Sequence, residues 1–170
     1  MSKFTKIKLI SNIKKTDGFA LVEAVIATSV CLVVTLSLML VFSNILKLST
    51  ANTAKVQATF LEEEGQEVVR VMRDNGWTAQ IVSQSVNTPF YLTFDGATWK
   101  ATTTNTFVDG TFERKVTLGN VYRNNAQNIV SSEGTLDANI RLVTVSVSWS
   151  SNGATTTRSL STYLTNIFNN

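Results

Sequence analysis

Residues 19–42 form an uninterrupted apolar run of 24 residues in which Glu23 is the one ionisable side chain. At about 1.5 Å per helical residue the run is about 36 Å long, enough to cross a bilayer core of about 30 Å. A carboxylate in a membrane helix costs roughly 2.5 to 3.5 kcal/mol at mid-bilayer and less near an interface. Glu23 therefore calls for a function or a partner.

Charge is distributed unevenly around this run. The chain has 15 Lys+Arg and 12 Asp+Glu, but residues 1–18 hold five of the lysines (Lys3, Lys6, Lys8, Lys14 and Lys15) against Asp17 alone. Residues 19–170 hold 10 Lys+Arg against 11 Asp+Glu, so the basic character belongs to the leading segment. No basic stripe remains beyond it, and direct nucleic-acid binding loses its electrostatic basis.

The single cysteine, Cys31, lies inside the apolar run, which rules out an intramolecular disulfide and reads as a small packing residue. Histidine is absent. Ser-His-Asp and Cys-His catalysis and the commonest zinc ligand sets are excluded, and no Asp, Glu or Asn cluster has convincing metal spacing. No catalytic residue, cofactor or metal is expected.

Lys14 and Lys15 flank the run on its N-terminal side, and the positive-inside rule places residues 1–18 in the cytoplasm and everything after about Asn44 outside. A secretory signal puts its apolar region before a small-residue cleavage site; here Gly18 precedes the apolar region. On topology alone the segment is equally a plain signal anchor.

Basic leader, Gly18, Phe19, and Glu23 at the fifth position of an uninterrupted apolar helix occur in that order. This resembles the class III signal of type IV prepilins and type II secretion pseudopilins, over about 30 residues. The resemblance implies cleavage between Gly18 and Phe19 by a prepilin peptidase on the cytoplasmic side, N-methylation of Phe19, and a role for Glu23 in assembly. It further implies other pilin subunits, the peptidase/methylase, an inner-membrane platform with its assembly ATPase, and membrane lipid before assembly as partners.

Each residue has a physical case. Gly18 lets the backbone lie closely against a protease. Cleavage creates an amine at Phe19 one helical turn from Glu23, which can pair with its own amine or a neighbour's, at the helix end where the dipole favours an acid. Pairing between subunits would set the axial register, because an unpaired charge is costly in an apolar core. Projected at 100° per residue, Ala20, Ala24, Ala27, Thr28, Cys31 and Thr35 fall within an arc of about 100°, a small-residue face that lets helix backbones approach. Ala20 stands where many members of the resembled family have Thr, and Leu40 where major pilins often have a helix-kinking Pro.

Residues 43–76 turn amphipathic. Ala54, Ala58, Leu61, Gly65, Val68 and Met72 repeat at helical spacing as one buried stripe. Glu62, Glu63, Glu64, Glu67, Arg70, Arg73 and Asp74 are assigned to the opposite, solvated face, with Glu67–Arg70 and Arg70–Asp74 at pairing distance. Asn75-Gly76 stops the helix, which would be about 84 Å long if unbroken from Phe19. Gly65 costs roughly 1 kcal/mol relative to Ala and marks a bend or a close approach.

From Trp77 the signals are those of strands, giving a β-rich extracytoplasmic region at residues 77–170. Residues 90–94 and 98–101 around Asp95-Gly96 read as a hairpin. Residues 111–122 place Phe112, Val116 and Leu118 on one side, and residues 141–149 alternate Val143, Val145, Val147 and Trp149 with Thr144, Ser146 and Ser148. Asn152-Gly153 turns into a partner strand at 155–164, and residues 124–139 read as a polar loop or small hairpin. An antiparallel sheet with one apolar face needs a cover, and the stripe from Ala54 to Met72 supplies it. The expected fold is α+β: a long N-terminal helix, its first half transmembrane, packed by its second half on an antiparallel sheet, as the resemblance also implies.

The expected function is structural: a single-pass cytoplasmic-membrane protein that becomes a subunit of a type IV pilus-type filament. The absent Pro at position 40, the absent C-terminal cysteine pair and the absent calcium loop lean towards a minor pilin or pilin-like protein. The alternatives are a pseudopilin of a type II secretion or DNA-uptake system, and an uncleaved signal-anchored β-domain adhesin.

Overall fold

A computed structural model describes residues 17–131, 133–151 and 153–168, with residues 17 and 18 as backbone alone. The leader up to residue 16 lies outside the described residues. The chain divides into two compact units, Met1–Ser49 and Thr50–Asn170. One helix, α1 (Asp17–Asp74, 58 residues), contributes its apolar half to the first and its amphipathic half to the second.

The architecture is the expected α+β one. In the second unit α1 packs on an antiparallel sheet of β3 (Phe107–Val108), β4 (Phe112–Arg123), β6 (Thr135–Ser151) and β7 (Ala154–Thr165), in the order β3-β4-β6-β7, with β5 (Ile129–Val130) paired to the end of β4. A separate hairpin, β1 (Tyr91–Phe94) and β2 (Trp99–Thr102), pairs Phe94 with Trp99 across its turn. Asp95 closes that turn by accepting from the N–H groups of Ala97 and Thr98, while Gly96 takes a φ of 95° that a side chain would resist.

Period-2 alternation makes the sheet two-faced. Val143, Val145, Val147 and Trp149 on β6 and Phe112, Val116 and Leu118 on β4 are buried against α1, with the register Val116–Val145 and Leu118–Val143 stacking the two sets. On the other face the β6 and β7 hydroxyls pair across the strands: Thr144 with Ser161, Ser146 with Ser159 and Ser148 with Thr157, each at 2.9 Å. Of the helix stripe, Ala58, Gly65, Val68 and Met72 are buried and Ala54 and Leu61 partly so, joined by Val69, which extends the stripe by one position.

Several expectations need correction. Trp77–Val82 is a π-helical turn rather than strand: Gly76 (φ 144°) breaks α1, and a second helical turn drops Trp77 and Ile81, four apart, into the core. β6 begins at Thr135, earlier than expected; the polar segment before it takes the expected hairpin alternative, through β5, with Gln127 at positive φ and the Asn124 carboxamide accepting from Ala126 and Asn128 N–H. Asp74 pairs with the adjacent Arg73 (2.8 Å) and not with Arg70, which turns to Glu67 as expected. Glu62 is not on the solvated face; it is 2% exposed, on the sheet side of the helix. The β6–β7 turn contains Gly153 at φ 80°, while Asn152 lies outside the described residues.

Candidate functional site

The apolar half of α1 is the candidate site, and its defining property is exposure. Every described side chain from Phe19 to Thr50 is exposed, and mean hydropathy reaches 2.6 over an 18-residue window. This is a helix long and apolar enough to cross a membrane, near the N-terminus. Each large aliphatic or aromatic side chain left in water forgoes roughly 1.5 to 3 kcal/mol of burial free energy, so the row from Phe19 to Leu48 represents tens of kcal/mol of unrealised stabilisation. Such a surface is stable only against lipid or against other apolar protein.

Phe19, Ala20, Glu23, Ala24, Ala27, Thr28, Cys31 and Thr35 all lie in regular helix, so the predicted spacing is realised. Phe19 and Glu23 are four residues apart, on adjacent turns of one face. Gly18 is helical in its backbone, as is Asp17. Among the described residues none pairs with the Glu23 carboxylate, which is exposed.

Side-chain hydroxyls along this half of the helix bond back to its own carbonyls. The Thr28 hydroxyl donates to Val25 O (3.0 Å) and the Thr35 hydroxyl to Cys31 O (2.7 Å). Ser29 and Ser37, on the other side of the helix, likewise turn back onto Ile26 O and Val33 O. With their polar atoms satisfied inside the helix, the threonines present methyl groups, and an approaching helix meets only small apolar surface along Ala20, Ala24, Ala27 and the free Cys31.

Sequence reasoning passed over the charges built into the second unit. Arg114, 5% exposed, interrupts the apolar face of β4; its guanidinium reaches Glu64 (2.7 Å) and Leu61 O (3.5 Å) and lies 5.7 Å over the Trp99 ring. The alternation Phe112, Arg114, Val116, Leu118 was the available signal. Glu113 gathers Tyr91 Oη (3.1 Å), Asn105 Nδ2 (2.9 Å) and Lys115 Nζ (2.9 Å) on the other face of β4. Lys115, the main cause, holds the Glu113 carboxyl below its ordinary range, and Glu113 in turn raises Lys115. Arg123 ties Asp137 (2.7 Å) to the Gln127 carbonyl across a shallow polar cleft and lowers the Asp137 carboxyl. These groups are paired internally and fasten strand to strand, helix to sheet. Among the described residues no group of three or more His, Cys, Asp or Glu is placed to hold a metal ion.

The chain matches no protein-family model, no curated protein and no solved structure.

Proposed function

We propose that this chain is a structural subunit of a type IV pilus-type filament, a minor pilin or pilin-like protein stored in the cytoplasmic membrane and assembled through α1. The observation that carries the reading is the fully exposed apolar helix with its lone carboxylate, Glu23, one turn from Phe19 and directly preceded by the Gly18-Phe19 bond. The mechanism is exchange of apolar surroundings. In the membrane the helix faces lipid; in the filament it faces the helices of other copies, so extraction leaves little apolar surface in water. Small residues set how closely helices approach, and a Glu23–amine pair between copies sets how far one is displaced along another.

The sheet unit fits a role outside the membrane. Its Ser- and Thr-rich face is exposed, and Arg123 pairs with Asp137 within the unit. The filament, its platform and the prepilin peptidase/methylase are partners on this reading.

The test is N-terminal analysis and intact mass of the native protein from its own cell membrane. The expected product starts at Phe19 and carries an N-methyl group. Retention of Met1 in cells with an active prepilin peptidase would overturn the reading in favour of a signal-anchored β-domain.

A further inference from the structure

On the sheet-facing side of α1, between Ala58 and Val69, sits a carboxylate that the assembly role leaves unused. Glu62 is 2% exposed; its Oε1 is fully buried with no hydrogen-bond partner, and its Oε2 lies 3.7 Å from Nε of Arg158 on β7. That separation exceeds an N–H···O hydrogen bond, and Arg158 is half in solvent, where water weakens its charge. One turn on, Gln66 donates its amide to Leu160 O (2.9 Å) of the same strand. Glu62 and Gln66 together span the seam between the helix and β7, the sheet's edge strand.

The surroundings do not balance an ionised Glu62. From β7 comes Arg158 alone. From β4 comes Arg114, already held by Glu64, the Leu61 carbonyl and the Trp99 ring. The helix-facing side of β6 offers Val143, Val145, Val147 and Trp149, and its Arg141, farther along, acts on Asp137. On α1 itself Glu63 adds a like charge, while Glu67 is engaged by Arg70. A buried carboxylate with a bare oxygen and one diluted counter-ion is tolerated far better neutral than charged.

We propose that Glu62 makes the α1–β7 seam an acid-tightened clasp, closed when its carboxyl is protonated and loosened when it ionises. Burial, the leading cause, raises the Glu62 carboxyl above its ordinary 4.5; Arg158 opposes the rise and Glu63 adds to it. A carboxyl raised in the folded state means that folding takes up a proton. The seam is therefore tightest below the ordinary glutamate value and loosens as pH rises through the folded one, by up to tenfold in its opening constant per pH unit until Glu62 is fully ionised. Opening releases the Leu160 carbonyl that Gln66 holds and adds it to the exposed edge of β7, where unpaired backbone groups can add another strand. This inference does not depend on the filament reading.

The test is hydrogen exchange on the full chain in detergent micelles between pH 5 and 8, corrected for intrinsic rates, comparing β7 amides with those of central β4. Wild type should show the β7 opening constant rising with pH, up to tenfold per unit, while β4 changes less. Glu62→Gln should be flat and more protected at pH 8. Arg158→Gln, which leaves the carboxylate in place, should move the wild-type midpoint to higher pH. A β7 slope in Glu62→Gln equal to wild type, an unmoved midpoint in Arg158→Gln, or equal slopes in β4 and β7 would each overturn the clasp.

Discussion

Gly65 of α1 lies so close to Val145 of β6 that a Cβ built on it would be 2.8 Å from Val145 Cγ1 and 3.3 Å from Arg114 Cδ. The glycine admits the sheet, and the helix continues past it to Asp74. Two opposed effects meet at this position, and their sizes decide the outcome of changing it.

Gly65→Ala gains about 1 kcal/mol of helix propensity but forces an overlap with a branched side chain in a packed core, which costs about 1 to 3 kcal/mol. Net destabilisation is expected in urea unfolding of the full chain in detergent. Adding Val145→Ala should recover part of the loss non-additively, because the two side chains share one space. A Gly65→Ala protein as stable as wild type would show that the helix and sheet separate at little cost.

Arg114 and Glu64 should respond asymmetrically to truncation. Glu64→Ala leaves a guanidinium buried without its carboxylate, expected to cost about 3 kcal/mol, whereas Arg114→Met leaves a half-exposed carboxylate free to hydrate and fills the space with apolar volume, within about 1 kcal/mol of wild type. Chemical denaturation of the two variants distinguishes them, and the reverse order would mean that Arg114 acts by its bulk against Trp99 rather than by its charge.

Asp137 supplies an acid-sensitive term of opposite sign to Glu62. Arg123, the main cause, and the Asn139 N–H lower its carboxyl in the folded chain from the ordinary 3.8. A depressed carboxyl contributes stability that is fully present above the ordinary value and is lost as pH falls through the folded one. Stability measured from pH 7 down to pH 2 should therefore include a loss beginning near pH 4 that Asp137→Asn lacks; identical acid limbs in the two proteins would assign no role to the Arg123 pair.

Glu23→Ala and Glu23→Val should leave cleavage after Gly18 largely intact and abolish incorporation into filaments. On the proposed filament reading, both variants keep the apolar helix and both remove the group that would fix register between copies. Sheared-filament or pulldown assays read this directly, and incorporation equal to wild type would remove Glu23 from assembly.

Much of this molecule is visible before folding is considered. The apolar run, the stripe from Ala54 to Met72 and the alternation from Val143 to Trp149 each need only a period and a polarity, and each lies where those periods put it. The candidate site was legible for the same reason: Phe19, Glu23 and the small residues share one regular helix, so spacing alone sets their arrangement. Glu62 was misplaced because its neighbours Glu63 and Glu64 suggested a uniformly charged face, while the burial arc is wide enough to take in the position next to Leu61. The π-helical turn at Trp77 was missed because a single turn carries no period to read.

The sequence by itself determined that this chain has a helix apolar enough for a membrane, with one carboxylate near its start, followed by an amphipathic helix and a two-faced antiparallel sheet. Those features come from the periodic placement of apolar side chains, which is local information. Only the tertiary structure decided which polar groups were enclosed: Arg114 with a carboxylate and a ring, Gln66 with a strand carbonyl, Glu62 with one oxygen unpartnered. A charge's surroundings depend on what the opposite element brings within a few ångströms, and residues such as Glu62 and Arg158, far apart along the chain, meet only when the helix and the edge strand close on each other.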